Sequence, residues 1–285
     1  MTGAAQEAAG CPVCGAPVLV GDSYCEACGH ALNAPACVSC GAPAVDAEGY
    51  CERCGLRQPS GRDHVETTLD GGAAAVTDRG LRRPRNEDAV ALVQAGDAVV
   101  VVVCDGVGSS PRADEASAAA AWTASAALAG GASQAEAFGL AARAVAQLAT
   151  SPEDAPACTY VAAVVEPDGR VSLAWAGDSR AYWLPGGSGV PVPLTVDDTV
   201  ATGEITAWLG ADAGAVGPHV RTLVPPEPGL LLVCSDGLWR YLDGYAVPAA
   251  GTPVETAREL LRHALDRGGQ DNVTIALIPR GEVHD

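Results

Sequence analysis

The sequence predicts an α+β protein in which antiparallel strands and separate helices follow a small cysteine-rich segment. Eight of the eleven cysteines fall within the first 54 residues, as four Cys-x-x-Cys pairs. Beyond them, short β-branched apolar runs and alanine-rich stretches have the character of strands and helices. Several apolar runs carry an aspartate at one end, and the clearest is Val99–Val103, which leads into Asp105 and Gly106.

Composition narrows the class of partner. The chain has 285 residues and a formal net charge of −18, and all 17 basic residues are arginine. This charge disfavours nucleic acid or an anionic membrane as the partner of the whole protein. No basic segment with a following apolar run opens the sequence, and no stretch reaches the ~18 uninterrupted apolar residues of a membrane span. We therefore expect a soluble, cytoplasmic protein.

The cysteine-rich segment is an internal duplication. Each cysteine of the second half lies 26 residues after its counterpart in the first half, and Gly-Ala-Pro follows the first pair of each half. The spacing groups the cysteines into two sets of four, namely Cys11, Cys14, Cys25 and Cys28, then Cys37, Cys40, Cys51 and Cys54.

Each set has the spacing of a tetrahedral zinc site, because two intervening residues let both thiolates of a pair face one ion. A unit of about 20 residues is too small to fold on its own core, so the metal must stabilise it. A disulfide framework is the alternative, against which the regular pairs without a secretion signal argue. The segment resembles the double zinc ribbon over roughly residues 11–57. We assign residues 1–57 to this module and expect two zinc ions.

Charge also bears on what the ribbons bind. Between residues 11 and 57 the only arginines are Arg53 and Arg57, and the carboxylates are Asp22, Glu26, Asp46, Glu48 and Glu52. A protein-docking or purely structural role is therefore favoured over nucleic-acid binding.

The rest of the chain divides into three parts. Residues 58–72 are polar and without periodicity, which predicts an interdomain linker. The strand and helix patterns fill residues 73–280, the second predicted domain, and residues 281–285 form a tail.

The predicted domain begins with a strand at 73–76 and a polar loop around Pro84, which excludes a helix interior there. A strand at 89–93 then pairs with the valine run as a hairpin across residues 95–97. Helices are predicted at about 114–128, at 134–148 with Ser133 as N-cap, and at 254–265. Further strands are predicted at 159–165, 171–176, 181–184, 230–234 and 273–278.

The valine run indicates a strand buried on both faces, since a half-exposed strand would alternate with polar residues. Asp105 at its end is, taken alone, an ordinary turn or helix-capping residue. However, Asp178 and Asp236 also follow predicted strands, and Asp271 precedes one. Carboxylates gathered at one rim repel each other unless a cation holds them. Oxygen ligands favour Mg²⁺ or Mn²⁺, and two such ions can bind a phosphate and activate a water.

Five motifs carry a resemblance to a known family. They are RPRNED, DGVG, AGDSRAY, CSDGLW and QDNVT, in that order. Each is weak alone, but together they resemble the metal-dependent protein phosphatases of the PPM (type-2C) family over roughly residues 73–280. The resemblance implies a four-layer α/β/β/α sandwich of two antiparallel sheets flanked by helices.

The resemblance also implies roles for individual residues. Asp105 would bridge two Mg²⁺ or Mn²⁺ ions, with the carbonyl of Gly106 on one of them. Asp236 and Asp271 would hold the other ion, helped by Glu87 directly or through water.

Further roles concern the phosphate and a third cation. Arg83 matches the phosphate-binding arginine of the family, and its fork-shaped guanidinium suits two phosphate oxygens. Asp88 is expected to support the ligands from behind, and Asp178 matches a ligand of a more labile third metal. Arg240 stands where the family has an acidic residue of that third site, which argues against a third metal here.

Other departures lie near Asp105 and in the flap. Val107 stands where some relatives carry a histidine, so water is expected to be the general acid. Ser109 and Ser110 break the usual glycine pattern. The flap between the GDSR and SDG strands is short, with 194–198 resembling its start and 207–210 its end.

The resemblance thus implies a phosphatase that hydrolyses phosphoserine and phosphothreonine in proteins with metal-activated water at a binuclear centre. Its partners would be phosphorylated proteins, including a Ser/Thr kinase and that kinase's substrates, with the ribbons for partner docking. The alternative is a weak or inactive pseudophosphatase adaptor, motivated by Arg240 and the short flap. We favour the enzyme because no core metal ligand is missing.

Overall fold

The chain forms two compact units, residues 1–61 and 62–285. The computed structural model describes residues 9–11, 13–19, 22–30, 32, 35–46, 49–151, 153–248 and 251–280. The predicted tail, 281–285, lies outside the described residues.

The first unit has very little regular structure. Strands β1 (Ala9–Gly10) and β2 (Pro17–Val18) pair antiparallel, and the remaining described residues are turns and isolated bridges. The buried apolar residues of its two halves are few, namely Cys11, Val18 and Cys25, and Cys37, Ala42, Val45 and Cys51. Because cysteines make up half or more of each group, the module depends on its sulfur sites for order.

The second unit alternates strands and helices. Its strands are β3 His64–Thr68, β4 Ala74–Asp78, β5 Ala89–Ala95, β6 Ala98–Cys104, β7 Ala157–Cys158, β8 Tyr160–Val165, β9 Val171–Ala176, β10 Arg180–Pro185, β11 Val192–Pro193, β12 Leu209–Gly210, β13 His219–Leu223, β14 Gly229–Cys234 and β15 Val273–Arg280. Its helices are α1 Ala113–Ala129, α2 Gln134–Ala146, α3 Asp236–Trp239 and α4 Pro253–Asp266.

Two antiparallel sheets hold most of these strands. One has six strands in the order β11-β10-β14-β15-β4-β3, and the other has five in the order β13-β9-β8-β6-β5. The predicted hairpin of β5 and β6 is confirmed, with Ala95 opposite Ala98. A two-stranded pair of β12 and β7 lies outside both sheets.

The burial of β6 shows how the layers stack. Val100 and Val102 pack into the cluster that α1 and α2 contribute to, whereas Val101 and Val103 pack into the cluster shared by the two sheets. A third cluster joins the six-stranded sheet to α4 through residues such as Ile275. The predicted four-layer α/β/β/α sandwich of antiparallel sheets flanked by helices is confirmed.

The longer helices begin as their sequences predict. Ser133 caps α2 through a capping box with Glu136, as predicted, and Thr252 caps α4 through a box with Glu255. These reciprocal hydrogen bonds satisfy backbone donors that a helix N-terminus otherwise leaves free. In the described part of the chain, no helix has the length and apolar character needed to cross a membrane.

Two edge strands were not predicted from the sequence. Residues 58–72, which we predicted to be a linker, contain β3, whose His64 lies opposite Asp78 in β4. All five residues of β3 are exposed, so the strand has no apolar alternation to reveal it. β13 is similarly exposed and pairs with β9. The prediction of an irregular segment was therefore wrong for 64–68.

Candidate active site

The predicted carboxylates approach one another where strands of both sheets end. Asp105 follows β6, Asp178 follows β9, Asp236 follows β14, Asp271 precedes β15, and Glu87 precedes β5. The antiparallel register of β6 with β8, and of β14 with β15, brings strand ends from distant parts of the sequence to the same rim. The cluster therefore combines residues that are far apart in the sequence.

Asp105 is held by its own backbone. Its N–H donates to Thr159 Oγ1 at 3.1 Å, and its carbonyl accepts from the N–H of Thr159 at 2.8 Å. Thr159 in turn shares a 2.8 Å hydrogen bond with Ser179. Burial raises the pKa of Asp105 well above its ordinary value, and the neighbouring carboxylates raise it further. The backbone of Asp105 is therefore held at the end of β6, and the buried carboxyl group lies where a cation would compensate its charge.

Glu87 is brought to Asp105 by close backbone packing. A Cβ on Gly106 would lie 2.8 Å from the carbonyl oxygen of Glu87, so only glycine permits this approach. The N–H of Glu87 donates to Asn272 Oδ1 at 2.8 Å, and Ser117 Oγ donates to the Glu87 carbonyl at 2.5 Å. Burial raises the pKa of the Glu87 carboxyl.

Asn272 was not assigned a role from the sequence. Its amide nitrogen donates to the carbonyls of Arg79 and Arg85 at 2.8 and 2.9 Å, while its oxygen accepts from Glu87. One side chain thus ties the loop before β5 to the segment that carries Asp271. Its place inside the QDNVT motif was the only sequence signal for this role.

Asp236 lies at a second junction of the same kind. A Cβ on Gly237 would overlap the carbonyl oxygen of Asn272, so this Asp-Gly pair also permits a close backbone approach. One carboxylate oxygen of Asp236, Oδ2, forms an ion pair with Arg240 Nη2 at 2.6 Å. The other, Oδ1, is buried without a hydrogen-bond partner. Burial raises the pKa of Asp236, and Asp271 adds to the effect.

Arg83 reaches the rim from the polar loop. Its Nη2 donates to Asp271 Oδ2 at 2.7 Å, and the same guanidinium lies against the backbone of Gly108. The hydrogen bond to Asp271 raises the pKa of Arg83. Because its side chain is 38% exposed, the guanidinium also faces solvent, where an anion can reach it.

Asp88 lies behind the rim and is 3% exposed. Its Oδ2 accepts from the hydroxyls of Ser235 and Thr274, both at 2.8 Å, while its Oδ1 has no partner. Burial raises the pKa of Asp88 to about 7, and Asp236 and Asp271 add to the effect. Ser235 and Thr274 were not singled out from the sequence, although Ser235 precedes Asp236 and Thr274 is the last residue of the QDNVT motif.

Asp178 belongs to the flank of the cluster. Its carbonyl accepts from Trp239 Nε1 at 2.8 Å, and the guanidinium of Arg180 covers that indole ring at 3.6 Å. Burial raises the pKa of Asp178 to about 6, with Asp236 as the next cause.

This donor set fits hard divalent cations. Its side chains offer only oxygen, and burial together with neighbouring carboxylates raises the pKa values of Asp105 and Asp178. Asp88 and Asp236 each keep one buried unpartnered oxygen. Among the described residues, only the cysteine sets bring three or more candidate ligand atoms within 4.8 Å of one another. The more open carboxylate cluster suits Mg²⁺-like ions, which keep several waters.

The two cysteine sets have tight geometry. All four sulfur atoms within each set lie within 4.8 Å of one another, and no set mixes cysteines of the two halves. The pairs Cys11–Cys28 and Cys37–Cys54 are 3.7 Å apart, close to the roughly 3.8 Å between corners of a tetrahedron with 2.3 Å Zn–S bonds. Backbone N–H donors, first of all that of Cys14, lower the pKa of Cys11 to about 6, which favours its thiolate.

The fold and the carboxylate rim together define a metal-dependent phosphatase. The Protein phosphatase 2C family profile matches residues 82–273, more than half of the chain. This chain belongs to the protein phosphatase 2C family. The profile of the double zinc ribbon matches residues 11–55, in agreement with the two cysteine sets. Among curated proteins, none matches the chain.

Several solved bacterial structures have a similar fold. The PPM Ser-Thr phosphatase MsPP of Mycobacterium smegmatis is 27% identical, covering 75% of this chain and 100% of that one, with a TM-score of 0.63. The serine/threonine phosphatase PstP/Ppp of Mycobacterium tuberculosis is 27% identical, covering 72% and 96%, with a TM-score of 0.57. The serine/threonine phosphatase Stp1 of Staphylococcus aureus, at 24% identity, covers 79% and 100% with a TM-score of 0.63 and supports the fold alone.

Proposed function

We propose that the protein hydrolyses phosphoserine and phosphothreonine in other proteins, using two Mg²⁺ or Mn²⁺ ions at the carboxylate rim. The observation that carries the proposal is the cluster of carboxylates at the rim, in which burial raises the pKa values of Asp105 and Asp236 and a buried oxygen of Asp236 has no partner. The two mycobacterial proteins of 27% identity are both Ser/Thr phosphatases, which supports the substrate class.

We assign the ligand roles that the family resemblance implies. Asp105 and the carbonyl of Gly106 would hold one ion, and Asp236, Asp271 and Glu87 the other, with Asp105 shared between them. Two bound divalent ions supply a Lewis acid for the phosphate and an activated water for in-line attack. The chain's own contribution is to hold the backbone of these residues in place through Thr159, Asn272 and the close contacts at both Asp-Gly pairs.

Arg83 would orient the substrate phosphate. Its guanidinium donates to Asp271 with one nitrogen and keeps other N–H groups for two phosphate oxygens, the bidentate geometry that arginine provides. Because Arg83 and the ligand Asp271 are coupled by this hydrogen bond, phosphate and cation would be positioned together.

The proton for the leaving alkoxide would come from water. The segment just after Asp105 offers Val107 and Gly108 and then two serine hydroxyls, none of which titrates near neutral pH. Asp88 would steady the ligands through its hydrogen bonds with Ser235 and Thr274. These two residues belong to the segments that carry Asp236 and Asp271.

We do not expect the surroundings of Asp178 to hold a third metal ion. Arg240 places its cation 2.6 Å from Asp236, and we propose that it supplies the positive charge that a third metal would otherwise bring there. The inactive-adaptor alternative is not favoured, because Arg240 replaces an acidic residue of the third site and none of the proposed ligands of the two central ions is missing from the sequence.

We further propose that the ribbons hold two zinc ions and dock partner proteins, a Ser/Thr kinase or its substrates among them, in the cytoplasm. The two complete four-cysteine sets support the zinc ions. The exposed apolar side chains Val13, Leu19, Tyr24 and Val38 support docking.

Activity of the purified full-length protein tests the proposal. With Mn²⁺ it should hydrolyse p-nitrophenyl phosphate and a phosphothreonine peptide, and Asp105→Ala should lower kcat by about 10³-fold or more, the scale of losing a group that stabilises the transition state. Asp97→Ala, which changes an exposed carboxylate in the β5–β6 turn, is the matched control and should keep full activity. Turnover that survives Asp105→Ala, or needs no divalent ion, would contradict the proposal.

A further inference from the structure

A groove opens beside the strand end that carries Asp105. Its volume is about 490 Å³, and its walls come from the segment after Asp105, Val107 to Pro111, and from the short flap, 204–212. The N–H of Val107 donates to the carbonyl of Ala157 at 2.9 Å, and Gly106 forms a β-bridge with Cys158. The groove is therefore continuous with the backbone that positions Asp105.

The charge of this groove is one-sided. Glu153, Glu204 and Asp212 line it, all three exposed, and among the described lining residues there is no arginine or histidine. A second cavity, of about 330 Å³, is lined by two arginines, Arg180 and Arg240, and by one carboxylate, Asp243. The catalytic rim is thus bordered by an acidic groove next to Asp105 and a basic cavity next to Asp236.

An aromatic wall adds shape to the acidic groove. Trp208 is partly buried, and its indole N–H donates to Asp212 Oδ1 at 3.0 Å, so the ring and one carboxylate are fixed relative to each other. Ile205 adds an apolar surface beside it. A flat ring next to a carboxylate is the environment that suits a guanidinium, which stacks on aromatic faces and donates in its own plane.

We propose that this cavity, the Trp208 groove, binds an arginine or lysine side chain that flanks the phosphorylated residue of the substrate, so that the enzyme selects phosphoproteins with basic sequences at the site of phosphorylation. The proposal rests on the proposed phosphatase function and adds a substrate class to it. A polypeptide whose phosphate lies at the rim must pass beside Asp105. The flap is short, with a β-bridge between Thr199 and Ile205, so it does not cover the groove and the polypeptide can enter. Charge complementarity then selects the sign of the flanking residues.

Kinetics with paired peptides test this assignment. Two phosphothreonine peptides should be compared that carry either arginine or glutamine at the positions flanking the phosphothreonine. Each exposed ion pair contributes roughly 1.5- to 5-fold, so the full-length protein should favour the arginine peptide by about tenfold in kcat/KM at low salt. The combined variant Glu153→Gln, Glu204→Gln and Asp212→Asn should reduce that ratio to about twofold or less.

A matched control removes the same charge elsewhere. Asp97→Asn, Glu166→Gln and Asp168→Asn lie in the turns at the opposite end of the five-stranded sheet, since Val99 pairs with Val165 there. This variant should keep the preference for the arginine peptide. Both variants should turn over p-nitrophenyl phosphate like the unmodified protein, because that substrate has no flanking residues.

The outcomes separate the two proposals. Equal kcat/KM for the two peptides, or a preference that the groove variant keeps or that both variants lose alike, would overturn the Trp208 groove while p-nitrophenyl phosphate is still hydrolysed. Absence of turnover with every substrate would overturn the proposed function and the groove assignment with it.

Trp208→Leu should weaken binding of the arginine peptide more than of a lysine peptide, raising KM with kcat retained.

Discussion

The two units of this chain use metal sites in opposite ways. In the ribbon unit, cysteines make up half or more of each small buried group, so the proposed zinc ions would hold the chain together. In the phosphatase unit, three large clusters of apolar side chains form the layers, and the carboxylates lie at the rim of a fold that is already packed.

The contrast explains the geometry of the two kinds of site. A structural zinc site is closed, and each cysteine set satisfies this with four mutually adjacent sulfur atoms. A catalytic site must leave room for substrate and water, and here the carboxylates are more open and keep unpartnered oxygens. Removing metal should therefore unfold the first unit and merely disable the second.

The largest expected effect is on the ribbon unit. Cys51→Ser should remove one of two zinc ions per chain and disorder the second half of the module, because zinc contributes roughly 10–16 kcal/mol to the folding of such small units. Zinc content and limited proteolysis measure the loss, while turnover of p-nitrophenyl phosphate should be unchanged. Val38→Ser, an exposed change in the same half, should keep both ions. Retention of two ions by Cys51→Ser would show that the site is not a four-cysteine site.

A smaller effect is expected on the stability of the phosphatase unit without divalent ions. The pKa of Asp88 is raised to about 7 and that of Asp178 to about 6, above their value near 3.9 in an unfolded chain. The folded state then binds more protons than the unfolded state between these values, so stability falls as the pH rises from about 4 to 7.

Thermal unfolding of residues 62–285 measures this effect. Without divalent ions, Tm should drop by about 5 °C or more between roughly pH 5 and pH 7.5, and Mg²⁺ should raise Tm most at the higher pH. The fragment begins at residue 62 because a start at residue 66 would cut β3 and remove its pairing with β4. Asp88→Asn should flatten the pH dependence. A metal-free Tm that rises over this range would contradict the assigned direction.

The smallest expected effect concerns Arg240. Its ion pair with Asp236 involves an arginine that is 57% exposed, and such pairs contribute about 0.2–1 kcal/mol. Arg240→Gln should therefore lower the Mn²⁺ concentration for half-maximal activity by about two- to fivefold, because a competing cation is removed, and Arg240→Asp should lower it further. Arg240→Lys is the conservative control. Unchanged metal dependence in all three variants would exclude a role for this pair.

Local patterns predicted much of the second unit. The buried β6, the hairpin to β5 and the capped helix α2 follow from periodicity and capping residues that a short window reveals. The exposed edge strands β3 and β13 carry no such periodicity, because pairing with a neighbour rather than burial stabilises them. Sequence therefore indicates the interior of the sandwich better than its edges.

The sequence predicted which carboxylates gather at the rim, but not the hydrogen bonds that support them. The recurrence of aspartate at strand ends, together with the family motifs, pointed to Asp105, Asp236 and Asp271. The hydrogen bonds that Asn272 makes to residues far away in the sequence depend on which strands become neighbours. No local pattern encodes that arrangement, and the ligand roles themselves remain a proposal.

The two Asp-Gly pairs have a consequence for protein engineering. At Gly106 and Gly237 the neighbouring main chain occupies the space of a Cβ, so the separation of the ligand-bearing segments is set by backbone thickness rather than by adjustable side chains. Libraries that aim to change substrate preference should leave both glycines fixed and diversify the flap and groove walls. Variation there can reshape recognition without altering the spacing on which the chemistry depends.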